Sequence, residues 1–102
     1  MICSNLVNLR KLFFNNNRIS DEGVREIGKL KNLRCLDLRS NHISDEGLVA
    51  IPQLQELTQL SLSNNNIGDK GVDYVCQILE LRYLDITSNK ISDKGGKIIQ
   101  KL

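Results

Sequence analysis

A strict 24-residue period runs through nearly all of this 102-residue chain, and it admits only one broad architecture. Leu9, Leu33, Leu57 and Leu81 stand 24 apart, as do Leu12, Leu36, Leu60 and Leu84. Phe14, Leu38, Leu62 and Ile86 keep the same step, followed by Asn17, Asn41, Asn65 and Asn89, then Ile19, Ile43, Ile67 and Ile91. Asp21, Asp45, Asp69 and Asp93 complete the register with Gly23, Gly47, Gly71 and Gly95, and no gap is needed anywhere. A period of this size describes a solenoid, in which each unit buries its apolar face only against its neighbours.

The unit reads L-x-x-L-x-L-x-x-N-x-I and resembles the leucine-rich repeat family over almost the whole chain. The stretches NNNRISDEGV, SNHISDEGL, NNNIGDKGV and SNKISDKGG are similar to the ribonuclease-inhibitor-like subclass, although 24 residues is shorter than its usual unit. Bacterial and protist repeats with the same I-S/T-D-x-G turn are similar as well. The resemblance implies an α/β solenoid: a curved right-handed stack, with short parallel strands on the concave side and short helices on the convex side. It also implies a single domain over residues 1–102 with units starting at 9, 33, 57 and 81.

The residues themselves give the same picture. Lys11–Phe14, Cys35–Leu38, Gln59–Leu62 and Tyr83–Ile86 alternate with period two, so their even members face a core and their odd members face out. The spacing then turns helical at Val24, Ile27 and Leu30, at Leu48, Ile51 and Leu54, and at Val72, Val75 and Ile78. In the last unit Gly96 takes the first of these slots, ahead of Ile99 and Leu102. Ser20, Ser44 and Ser92 are placed to cap their helices, with the neighbouring aspartates as caps too rather than catalytic carboxylates. Pro52 removes a helical donor, so the second helix should end or distort there. Strands stack at about 4.8 Å while helices need about 8–10 Å, which forces curvature.

The asparagine row Asn17, Asn41, Asn65 and Asn89 is expected to pair backbone groups of its own turn and of the neighbouring one, since an amide offers both donors and an acceptor. Asn64 beside it faces out and should matter little to stability. Residues 1–8 fit the tail of an earlier unit, with Cys3 at the Ile27 slot and Leu6 at the Leu30 slot. Neither end carries a polar capping segment. The expectation is a fragment of a longer array, with self-association through uncapped ends as a further reading.

Formal net charge is +2 and no basic footprint of nucleic-acid type emerges; Arg10, Arg34 and Arg82 form only a weak stripe broken by Thr58. No signal-peptide core, transmembrane run or N-x-S/T sequon is present in the sequence. Three cysteines without C-x-x-C spacing fit reduced thiols, and His42 is the sole histidine, so neither a disulfide nor a metal site is expected. No cofactor motif and no nucleophile–base pair occurs, which argues against an enzyme. The expected location is cytoplasmic, with export of a parent protein left open.

Function in such a scaffold belongs to positions where the repeat varies. The outward candidates are Lys11, Phe13, Cys35, Asp37, Arg39, Gln59, Ser61, Tyr83 and Asp85, with Phe13, Arg39 and Tyr83 as anchors of a protein or peptide partner. The leading expectation is a non-catalytic protein-binding module using the concave face. The alternative is the target-recognition part of a larger ubiquitin-ligase-type or microbial effector protein.

Overall fold

The computed structural model describes residues 9–99, the side chains of residues 97–99 excepted. The expectations for Cys3, Leu6, Ile99 and Leu102 therefore lie outside the described residues and side chains. Four three-residue strands, β1 (Lys11–Phe13), β2 (Cys35–Asp37), β3 (Gln59–Ser61) and β4 (Tyr83–Asp85), form one parallel sheet in sequence order. Lys11 pairs with Cys35, Cys35 with Gln59 and Gln59 with Tyr83, so every strand meets its neighbour one period away. Each crossover carries a short helical segment: α1 (Asp21–Ile27), a 3₁₀ helix (Asp45–Gln53) and α2 (Asp69–Val75), with α3 (Asp93–Ile99) following β4. This is an α/β leucine-rich repeat solenoid, with a parallel sheet on one side and short helices on the other.

The core lies between sheet and helices and is made by the repeated apolar positions. Leu36, Leu38, Leu60 and Leu62 enter it from the strands, and Val24, Ile27, Leu30, Leu48, Ile51, Leu54, Val72, Val75 and Ile78 from the helical side, all at most 1% exposed. The outer units are less complete. Leu12, Phe14 and Ile19 at one end and Leu81, Leu84 and Ile86 at the other are only partly buried, because each unit needs a neighbour on both sides.

The second crossover differs from its siblings over its whole length. Gly47 N–H bonds the Ser44 carbonyl, an i−3 contact, whereas Val24, Val72 and Gly96 bond i−4 carbonyls at Ser20, Gly68 and Ser92. Pro52 sits inside this 3₁₀ helix, where it offers no donor and its ring crowds the preceding turn. The distortion thus extends well beyond the proline itself.

Helix starts also depart from expectation. Ser20 and Ser44 make no side-chain cap bond; only Ser92 caps in the usual sense, its Oγ accepting the Lys94 N–H at 3.2 Å. The capping groups come instead from the preceding repeat. Asp21 Oδ1 accepts the Ser44 N–H at 2.7 Å and its other oxygen takes the Ser44 hydroxyl. Asp45 Oδ1 accepts the N–H groups of Gly68 and Gly71 at 2.7 and 3.0 Å, and Asp69 receives the Ser92 N–H at 2.8 Å with the Ser92 hydroxyl. A helix start leaves donors unpaired and attracts negative charge, so one carboxylate per interface satisfies both needs. The aspartates are caps, but of the next unit.

Candidate functional site

Strand pairing sets the outward side chains on a grid. Odd strand positions stand clear of the core: Phe13 is 57% and Tyr83 54% exposed, two of the four large hydrophobic side chains left in solvent among the described residues. Lys11 and Gln59 are exposed as well, while Cys35, Ser61 and Asp85 are half-buried. Cys35 faces this surface and its thiol meets Gln59 Oε1 at 3.4 Å. Neither Cys35 nor Cys76 is in a disulfide, and burial, followed by the charge of Asp73, pushes the Cys76 thiol up from its ordinary pKa.

The middle of the face is organised by Asp37 and Arg39, both expected on it but not expected as a pair. Arg39 Nε lies 3.0 and 3.1 Å from the two Asp37 oxygens and Nη2 lies 2.9 Å from Oδ2. The Arg39 N–H adds a fourth bond at 3.1 Å. Asp37 is thereby reduced to 9% exposure. The carboxylate is not a free charge on the surface; the guanidinium lies over it. The hydrogen bond and then the charge of Asp37 raise the Arg39 pKa, with smaller contributions from Asp85 and Tyr83. Asp85 repeats the i,i+2 pattern with Thr87, accepting its N–H at 3.1 Å and its hydroxyl at 2.8 Å. The D-x-R and D-x-T spacings carried this signal in the sequence.

The asparagine row lies at the end of the strands and braces the face from beneath. Asn41 Nδ2 donates to the carbonyls of Leu38, Arg39 and Phe14, and its Oδ1 accepts from Asn17 N–H and Ile19 N–H at 3.1 and 2.7 Å. Asn65 repeats this with Leu62, Ser63 and Leu38 as acceptors and Asn41 and Ile43 as donors. Asn89 donates to Ile86, Thr87 and Leu62 and accepts from Ile67. Asn17 differs: it is exposed, and among the described residues its amide donates to the Asn15 carbonyl.

Arg10, Arg34 and Arg82 line the opposite strand edge, all exposed, with Arg34 3.8 Å from Glu56. Among the described residues no group of three or more His, Cys, Asp or Glu could hold a metal ion, and no helix is long and apolar enough to cross a membrane.

Comparison with known proteins agrees with this geometry. The family profile described as leucine-rich repeats in two copies matches residues 7–48 and 31–72, and a single leucine-rich repeat profile matches residues 81–99. A solved leucine-rich repeat protein of Leptospira interrogans is 32% identical over 91% of this chain, with a TM-score of 0.68. An internalin of Listeria monocytogenes covers 97% at 22% identity and a TM-score of 0.60, a likeness of fold alone. The chain spans 23% and 35% of the length of these two solved proteins. No curated protein sequence matches it. With profile matches running across residues 7–72 and a fold of the same kind, this chain belongs to the leucine-rich repeat family.

Proposed function

We propose that the chain is a non-catalytic protein-binding module that holds a protein or peptide partner on its concave strand face. The observation that carries this reading is the exposure of Phe13 and Tyr83 on outward strand positions, where they serve no core. Their strand backbones are fixed by neighbouring strands, so little further ordering is needed on binding. Arg39, oriented by Asp37, adds a preset cation between them. Leucine-rich repeat proteins generally act through protein–protein contact, which supports the class but names no partner.

The four units starting at 9, 33, 57 and 81 form one domain in this reading and belong to a longer array, which the short share of the solved relatives' length supports. That share also favours the alternative, a target-recognition part of a larger protein. The D-x-G turns support a ribonuclease-inhibitor-like subclass with a 24-residue unit.

The test is a pull-down with wild type against a Phe13→Ala, Tyr83→Ala double variant, followed by an alanine scan on the recovered partner. Phe13→Ala and Tyr83→Ala should each weaken binding by about 1 kcal/mol or more, the mark of an interface anchor. Arg25→Ala, Val49→Ala and Asp73→Ala, exposed on the helical side, should be nearly neutral. Dominance of the helical side would overturn the reading.

A further inference from the structure

A groove of about 350 Å³ opens at the carboxyl ends of the strands, on the edge beside the concave face. Asn16, Ser40 and Asn64 build one wall. Their backbones are left-handed, with φ of 60°, 58° and 59°. Their N–H groups are spent on the next repeat, bonding the carbonyls of Arg39, Ser63 and Thr87 at 2.7, 2.9 and 3.0 Å. That turn holds their side chains in a row one repeat apart, and Asn64 Nδ2 donates to Ser40 Oγ across it at 3.2 Å.

Arg18, His42 and Asn66 line the other side, at one position of three successive repeats, and Lys90 is the fourth member of their row. All four are exposed. Lys29, Arg34 and Arg39 each meet a carboxylate, but Arg18 and Lys90 have no ion-pair partner among the described residues. No carboxylate lines the groove. Its lining presents hydrogen-bonding amides and one unpaired cation, Arg18, and the row continues to Lys90 beyond the lining residues.

We infer that this groove binds an extended acidic segment of a protein. It adjoins the concave face, since Asn16 N–H bonds the Arg39 carbonyl, but neither Phe13 nor Tyr83 is among its lining residues. Three repeat steps at about 4.8 Å separate Arg18 from Lys90 by about 14 Å. An extended peptide covers about 13–14 Å in four residues, with side chains i and i+4 on one side. Acidic residues in an E-x-x-x-E pattern therefore reach both cations together, while Asn16, Asn64 and Asn66 face the peptide backbone between them. A nucleic acid would meet only these few charges, which disfavours it.

The full chain should be titrated by fluorescence anisotropy with labelled hexaglutamate at low ionic strength, with labelled hexalysine as control. Hexaglutamate should bind and hexalysine should not. Arg18→Asn and Lys90→Asn, which keep a residue the turn accepts, should each weaken hexaglutamate about threefold, as expected for exposed charge pairs. Arg34→Asn on the opposite edge and Tyr83→Ala on the concave face should change it less than twofold. Weakening by Arg34→Asn equal to that by Arg18→Asn would reveal diffuse attraction and overturn the site. Displacement of the peptide by equimolar inorganic phosphate would equally overturn a peptide groove in favour of a simple anion site. Thermal melts of each variant separate lost binding from lost folding.

Discussion

Asp45 and Gly71, from adjacent repeats, meet so closely that each explains the other. Asp45 Oδ1 accepts the Gly71 N–H at 3.0 Å, and a Cβ on Gly71 would come within 2.6 Å of that same oxygen. The repeated D-x-G is thus one interface written twice per unit: the aspartate reaches forward, and the glycine two places on leaves room for the aspartate behind. The close approach recurs, since a Cβ on Gly47 would collide with Asp21 Oδ1 and one on Gly95 with Asp69 Oδ1.

Glycine substitutions should therefore split by position. A Cβ on Gly71 also meets Ile67 Cγ2 at 2.6 Å and Leu48 Cδ1 at 3.0 Å, so Gly71→Ala should destabilise by about 1–3 kcal/mol. A Cβ on Gly96 meets nothing within 4 Å, and Gly96→Ala should stabilise by about 0.5–1 kcal/mol through helix propensity alone. Denaturant melts that move both variants the same way would refute the packing account.

The asparagine row gives a second contrast. Asn65→Ala strips partners from buried backbone groups of two turns and should cost about 1–3 kcal/mol. Asn64→Ala, expected from its outward position to be nearly silent, should instead cost about 1 kcal/mol, because its φ of 59° suits alanine poorly. Asn64→Gly relieves that strain and should cost markedly less. Chemical denaturation of the three variants decides the order.

Acid should loosen the last interface. The hydroxyl and then the N–H of Ser92 hold the Asp69 carboxyl below its ordinary pKa. A depressed folded pKa contributes stability that is present above the unfolded value and lost as pH falls through the folded one. The loss should therefore begin near pH 4, about the ordinary aspartate value, and deepen below it. The melting temperature of Asp69→Asn should lie below that of wild type at pH 7, with the gap closing towards pH 2. A gap independent of pH would exclude this linkage.

Local opening should start at the carboxyl-terminal unit. Leu84 and Ile86 are only partly buried, whereas Leu60 and Leu62 are fully buried one repeat earlier. Gly96 contributes no side chain to the contact of α3 with α2. Amide hydrogen exchange at residues 93–96 should be faster than at residues 57–75; uniform protection would contradict it.

The 24-residue period by itself determined the fold, since side chains that recur in phase can be buried together only by stacking their units. It also determined which side of each strand faces the core, because alternation fixes facing within one strand. Val24, Ile27 and Leu30 and their equivalents were placed in the core by helical spacing for the same local reason. What a period cannot specify is which of two neighbouring repeats a polar group will serve. Tertiary structure decided that Asp21, Asp45 and Asp69 cap the following helix rather than their own, and that Asn41 supports Asn17 and Ile19 of the repeat before it. It decided too that Arg18 and His42 share a groove with Asn64. These outcomes depend on distances between chain segments about 24 residues apart, and such distances exist only once the units have stacked.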